Sequence, residues 1–128
     1  MSNNLNNLNK NSLGKIGEDK ACEYLVGKRF LIIERNFKRP WGELDIVAKA
    51  PDKTLVFVEV KTVTENNFQG ISAEDQMTAS KIKKFKKAAE LYAGYRQDLI
   101  DDKKGWRLDV VALTKTANNF QINHYENI

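Results

Sequence analysis

Asp45, Glu59 and Lys61 interrupt segments that are otherwise apolar, GELDIVAK at 42–49 and LVFVEVK at 55–61. Successive side chains alternate between the faces of a strand, so Glu59 shares a face with Lys61, and Glu43 with Asp45. Pro51-Asp52-Lys53 supplies turn chemistry between the two segments, which predicts a hairpin with a three-residue loop. The register that gathers Val56, Val58 and Val60 with Ile46 and Ala48 on one face places Asp45 opposite Glu59. It also sets Glu43 opposite Lys61 and Val47 opposite Phe57. Two opposed carboxylates repel by roughly 0.2–1 kcal/mol in a sheet, and by more where water is scarce.

Two arrangements relieve that repulsion. In one, Asp45, Glu59 and the Val60 carbonyl hold a hard divalent cation. Mg²⁺ needs only one or two protein carboxylates, and Mn²⁺ accepts the same oxygen ligands. Lys61 then stands beside the ion, where it positions an attacking water or stabilises charge developing on a phosphate. In the other, Lys61 neutralises both acids at a wet sheet edge and no chemistry follows.

The remaining elements must place these residues. Ser12 is an N-cap candidate for a helix in which Leu13, Ile16, Ala21, Tyr24 and Leu25 fall on one side, with Gly27 near its end. Glu18 lies within about 20° of Leu25 on that helix, at the flank of the apolar stripe. From there it reaches a sheet, or it simply complements the helix macrodipole. Phe30 to Asn36 reads as a first strand, followed by Gly42 to Lys49 and Thr54 to Lys61. Thr62 to Thr78 is a long polar loop, and a second helix runs from about Thr78 to Tyr95. Trp106 to Leu113 and Phe120 to Tyr125 complete the sheet. In Gly42 to Lys49, Leu44, Ile46 and Ala48 are expected to share one face. The order α-β-β-β-α-β-β, without repeats, predicts an α/β fold with a mixed sheet flanked by helices.

On the second helix Ile82, Phe85, Ala88, Ala89, Tyr92 and Ala93 form the apolar stripe. Lys83, Lys84, Lys86 and Lys87 face away, and Lys81 lies at the border. The lysines are either a solvated face or a track for a DNA backbone, with Lys81, Lys83, Lys84 and Lys87 as candidate contacts. A net charge of +4 and a pI near 9.1 point the same way, toward an anionic partner. Arg107 and Asp109 in WRLDVV read as a local structural pair.

Several classes are excluded or disfavoured. The single Cys22 excludes an internal disulfide and a cysteine-built zinc site, and the single His124 excludes a multi-histidine centre. No apolar run approaches the ~18 residues of a membrane span. The first twelve residues hold six Asn and no signal-peptide core. Residues 1–11 are expected to be a disordered tail, 12–128 a single domain, and the location cytoplasmic. The oligomeric state is left open, a homodimer included.

The sequence over about residues 12 to 114 resembles the YraN-like family of predicted bacterial endonucleases. GKIGEDKACEYL, ERNFKRPWGELDIVAK, LVFVEVKT, the lysine-bearing helix and RLDVVAL carry the resemblance. That family is similar in turn to archaeal Holliday-junction resolvases and to the PD-(D/E)xK nuclease superfamily. The resemblance implies a restriction-endonuclease-like core and a Mg²⁺-dependent nuclease. It implies Asp45, Glu59 and Lys61 as the catalytic set, with Glu18 as a fourth acidic contributor. Nothing in the sequence reads bases, so a branched or flapped DNA structure is the expected substrate. The alternative is a catalytically silent nucleic-acid- or partner-binding module with the same fold.

Overall fold

A computed structural model describes residues 10–66 and 70–128. Helix α1 (Lys10–Gly27) is followed by strands β1 (Leu31–Arg39), β2 (Gly42–Lys49) and β3 (Leu55–Thr64). Helix α2 (Ala79–Tyr95) then precedes β4 (Trp106–Lys115) and β5 (Phe120–Tyr125). The five strands form one sheet in the order β1-β2-β3-β4-β5. Only β3 and β4 are parallel, because α2 lies between them as a crossover; the other neighbours are antiparallel. This is the mixed α/β architecture and element order expected from the sequence. The predicted tail lies outside the described residues, apart from Lys10 and Asn11, which belong to α1.

Each helix covers one face. Ala21 and Leu25 of α1 pack on Ile46, Ala48, Val56, Val58, Val111 and Leu113. On the other face, Phe85, Ala88, Ala89, Tyr92 and Ala93 of α2 pack on Val47, Leu55, Phe57 and Leu108. The period-two pattern of β3 therefore feeds two cores, with odd residues toward α2 and even residues toward α1. The hydroxyl of Tyr92 donates to Glu34 Oε1 at 2.8 Å, which ties α2 to β1 within that second core.

Three sequence expectations are corrected here. Ser12 is not the N-cap, since α1 begins at Lys10; the helix ends at Gly27 as expected, and Arg29 supplies the left-handed residue that closes it, with φ 70°. The Phe30 N–H bonds to Leu25 O and the Arg29 N–H to Val26 O, while Phe30 and Leu25 share the core. That pattern closes the helix by geometry, whichever residue supplies it. Strands β1, β3 and β4 also run two or three residues beyond the ranges read from their apolar patterns: backbone pairing continues to Arg39, Thr64 and Lys115, and Phe37 and Val63 within these extensions are buried.

The third correction matters for the site. Leu44 does not share a face with Ile46 and Ala48; it joins the α2 core together with Phe37, whose ring meets Tyr92 edge-on at 4.9 Å. Two residues away on each strand, Arg35 reaches α1 and Ile46 packs beneath it. The alternation inverts between the rungs Arg35↔Ile46 and Phe37↔Leu44. Asn36 sits at that step with φ 53°, a left-handed conformation that Asn tolerates better than most residues. Asp45 occupies the matching step on β2.

Candidate active site and nucleic-acid groove

The β2–β3 hairpin has the predicted register, with Val47 opposite Phe57 and Ile46 opposite Val58. Its three-residue loop is held by Asp52 Oδ1 accepting from the Thr54 N–H at 3.0 Å, and Lys53 takes the left-handed position with φ 77°. Past Ile46 and Val58 the ladder stops, so Asp45 and Glu59 are not a rung, nor are Glu43 and Lys61. Glu43 pairs instead with Lys38 across β1, at 3.5 Å on an exposed surface. The Asp45 side chain takes up the backbone's role in the opening: its Oδ2 accepts the Val60 N–H at 2.8 Å. A strand residue projects N–H and C=O to the same side, so the Val60 carbonyl faces the same gap.

Glu59 nevertheless meets Asp45, as the sequence reading required. Burial, the Asp45 charge and a hydrogen bond between the two carboxyls push Glu59 up to about 8, against an ordinary value of 4.5. Lys61 Nζ lies 3.6 Å from Glu59 Oε2 and opposes that rise without cancelling it. A network in which Lys61 neutralised both acids would hold Glu59 down. Lys61 leaves the crowding of Glu59 by Asp45 partly unrelieved.

Glu18 reaches the same cluster from α1. Gly17 makes this feasible, since a Cβ there would lie 2.0 Å from Thr62 Oγ1 on β3. Only glycine lets the helix come this close, and the next residue is thereby brought near Asp45. Burial, then the Asp45 charge, raise the Glu18 carboxyl, while Arg35 lowers it from 3.5 Å away. Arg35 also binds Asp19 at 2.7 Å. Neither Gly17 nor Arg35 was singled out in the sequence. A glycine beside a candidate acid on a helix face was the available signal for the first. For Arg35 there was none.

Glu59 and Lys61 lie at a groove of ≈ 600 Å³ whose other walls include Trp41, Lys81, Lys84, Phe85 and Lys87. Helix α2 begins at Thr78, whose hydroxyl accepts the Lys81 N–H at 3.3 Å. A spacing of three residues then brings Lys81, Lys84 and Lys87 to one flank. Lys83 is exposed but does not line the groove. Gly42 lets β2 approach α2, since a Cβ there would lie 2.7 Å from that of Ala88. Glu18 stays on the α1 side and does not line the groove.

Among the described residues, no three His, Cys, Asp or Glu side chains are gathered so as to hold a metal ion. A hard cation here would draw on Asp45, Glu59 and the Val60 carbonyl, and the unrelieved carboxyl pair fits that use. Arg107 and Asp109 form the local pair expected, with Arg107 Nε donating to Asp109 Oδ1 at 2.9 Å. Asp109 is fully buried and also meets His124 Nε2 at 2.8 Å and the Asn127 N–H at 3.0 Å, which makes it a structural anchor for the C-terminal segment. Cys22 is half-buried. No helix among the described residues is long and apolar enough to cross a membrane.

The profile of the uncharacterised protein family UPF0102 matches residues 17–113. A UPF0102 protein of Flavobacterium johnsoniae is 38% identical over 114 residues, 89% of this chain and 90% of its own. Another, of Dictyoglomus thermophilum, is 39% identical over 106 residues, covering 83% and 85%. A third, of Geobacter metallireducens, is 38% identical over 120 residues, covering 94% and 93%. The YraN-like resemblance read from the sequence is to this same family. The matched region contains Glu18, Asp45, Glu59, Lys61 and the lysines of α2, and this chain belongs to the uncharacterised protein family UPF0102.

Proposed function

We propose that the protein is a Mg²⁺-dependent nuclease that hydrolyses DNA phosphodiester bonds, selecting branched or flapped structures. The observation that carries this reading is the Asp45–Glu59 carboxyl pair, left with Glu59 near 8, beside Lys61 in a lysine-lined groove. Asp45, Glu59 and the Val60 carbonyl would hold the ion. Bound Mg²⁺ supplies Lewis-acid polarisation of the phosphate and a water more easily deprotonated than bulk water. Lys61 holds its ammonium group beside the reacting phosphate, orienting water and offsetting negative charge that grows on the phosphate oxygens. Glu18 keeps a second acid against Asp45 from the α1 side. Lys81, Lys84 and Lys87 hold the DNA backbone, whose phosphates carry no sequence information, consistent with recognition by shape. The nuclease resemblance of the sequence supports the same reading.

A second reading is a binding module of the same fold without turnover. It is favoured by the absence of a three-carboxylate cluster among the described residues and by the direct Lys61–Glu59 contact. One assay separates the two. Purified protein with Mg²⁺ or Mn²⁺ is incubated with flap, four-way-junction and linear duplex DNA. Cleavage of a branched substrate, lost in Glu59→Ala and in Lys61→Ala, is the expected result. Equal trace cleavage by wild type and both variants marks contamination and rejects the enzyme reading. Salt-sensitive binding without cleavage supports the silent module.

A further inference from the structure

Trp41 has no part in the hydrolytic reading, yet it lines the groove that contains Glu59 and Lys61. With Pro40 it forms the two-residue turn between the paired residues Arg39 and Gly42. Pro40 fixes the backbone on entry, and Gly42 seats the exit against Ala88 of α2. The indole packs on Phe37 with ring centroids 5.5 Å apart. It is therefore held from both sides of the turn and from beneath. It remains 41% exposed.

A large aromatic left open to water forgoes the hydrophobic free energy of burial, so its position calls for a partner with an apolar face. Its neighbours in the groove restrict the choice. Lys81, Lys84 and Lys87 select a polyanion, and an aromatic platform among cations suits a chain that alternates flat apolar rings with phosphates. Continuous duplex meets only the second demand, because its bases already stack on each other. An unpaired base meets both.

We infer that Trp41 stacks on an unpaired base of a single-stranded DNA segment, so that the groove favours a flap, gap or branch point over continuous duplex. This inference rests on the nucleic-acid reading above and assigns its structural preference to one residue. The lysines supply affinity for any DNA backbone, and the indole supplies the discrimination.

The test is equilibrium binding in EDTA, where neither metal nor turnover enters, with fluorescein-labelled oligonucleotides followed by anisotropy. The probes are a single strand, a duplex of equal length, and a strand of equal length made of abasic sites. Wild type binds the single strand more tightly than the duplex or the abasic strand. Trp41→Ala lowers single-strand affinity by about 5- to 150-fold, the range of one base–aromatic stack, and leaves duplex affinity within about twofold. Trp41→Phe retains most of the preference. Lys84→Gln with Lys87→Gln weakens both probes alike. The inference is overturned if Trp41→Ala keeps the single-strand preference or weakens both probes equally. It is also overturned if wild type binds the abasic strand as well as the normal one, a comparison that needs no variant. Wild type that binds duplex and single strand equally rejects the Trp41 assignment alone. Wild type that binds neither rejects the nucleic-acid reading, and this inference with it.

Discussion

Glu59 offers a test of the site that needs no substrate. In the folded protein its carboxyl is pushed up to about 8, while in the unfolded chain it ionises near its ordinary value of 4.5. Between those values the folded protein keeps a proton that the unfolded chain has released, so stability falls as pH rises. The penalty is absent below the lower value, grows through the window and is complete above the upper one. At about 1.4 kcal/mol per pH unit, the step from pH 5.5 to 7.5 has a ceiling of about 3 kcal/mol. The side chain is 19% exposed, and an effective dielectric constant nearer 20 than 4 lowers the expected loss to ~1–2 kcal/mol. For a chain of this size that is about 3–10 °C in Tm. The assay is thermal melting of wild type and Glu59→Gln in EDTA at both pH values and matched ionic strength. Every group outside the Asp45–Glu59 pair is common to the two proteins, so their difference isolates that pair. Wild type should lose that much more than the variant on going to pH 7.5. Mg²⁺ at ~10 mM, with a Kd of ~1 mM, should restore about 1.4 kcal/mol to wild type at pH 7.5. At pH 5.5 it should restore less, because the proton on Glu59 competes. Parallel profiles of wild type and variant in EDTA would refute the reasoning, since Glu59 would then not be crowded by Asp45.

Gly17→Ala drives a methyl group into Thr62 and should cost about 1–3 kcal/mol, with Thr62→Ala alongside restoring part of it in thermal melts. Asp109→Ala leaves Arg107 and His124 facing an emptied buried site and should lower stability by ~3–5 kcal/mol in urea unfolding. Burial alone would raise the Asp109 carboxyl, but His124, Arg107 and the Asn127 N–H hold it below 3.8, so its stabilisation is present above that value and is lost as pH falls further. An unchanged acid limb in Asp109→Asn would contradict this. For DNA binding, each backbone contact contributes about −0.9 to the slope of log K against log salt. Replacing Lys81, Lys84 and Lys87 with Gln should flatten the slope, whereas replacing Lys83 and Lys86 should not; an unchanged slope in the first variant would assign its lysines to solvation.

Local pattern determined much of this protein. Period-two alternation in LVFVEVK and GELDIVAK fixed two strands and their register, because a slip by one would turn every valine to the wrong face. The spacing of Phe85, Ala88, Ala89, Tyr92 and Ala93 fixed the buried face of α2 in the same way. Those patterns also brought Asp45, Glu59 and Lys61 into one neighbourhood. They did not reveal that the ladder opens before Asp45, since pairing depends on where two backbones diverge and no side-chain period reports that. The inversion at Asn36, which sends Leu44 and Ile46 to opposite cores, breaks the alternation assumed in reading the strand. Glu18 comes within reach of the Asp45 charge because Gly17 lets α1 close on Thr62, a contact 45 residues apart in the chain. Trp41, Arg35 and the choice of Lys84 over Lys83 were likewise settled by which elements lie side by side. A sequence records which face of an element a residue occupies, and only packing decides what that face meets.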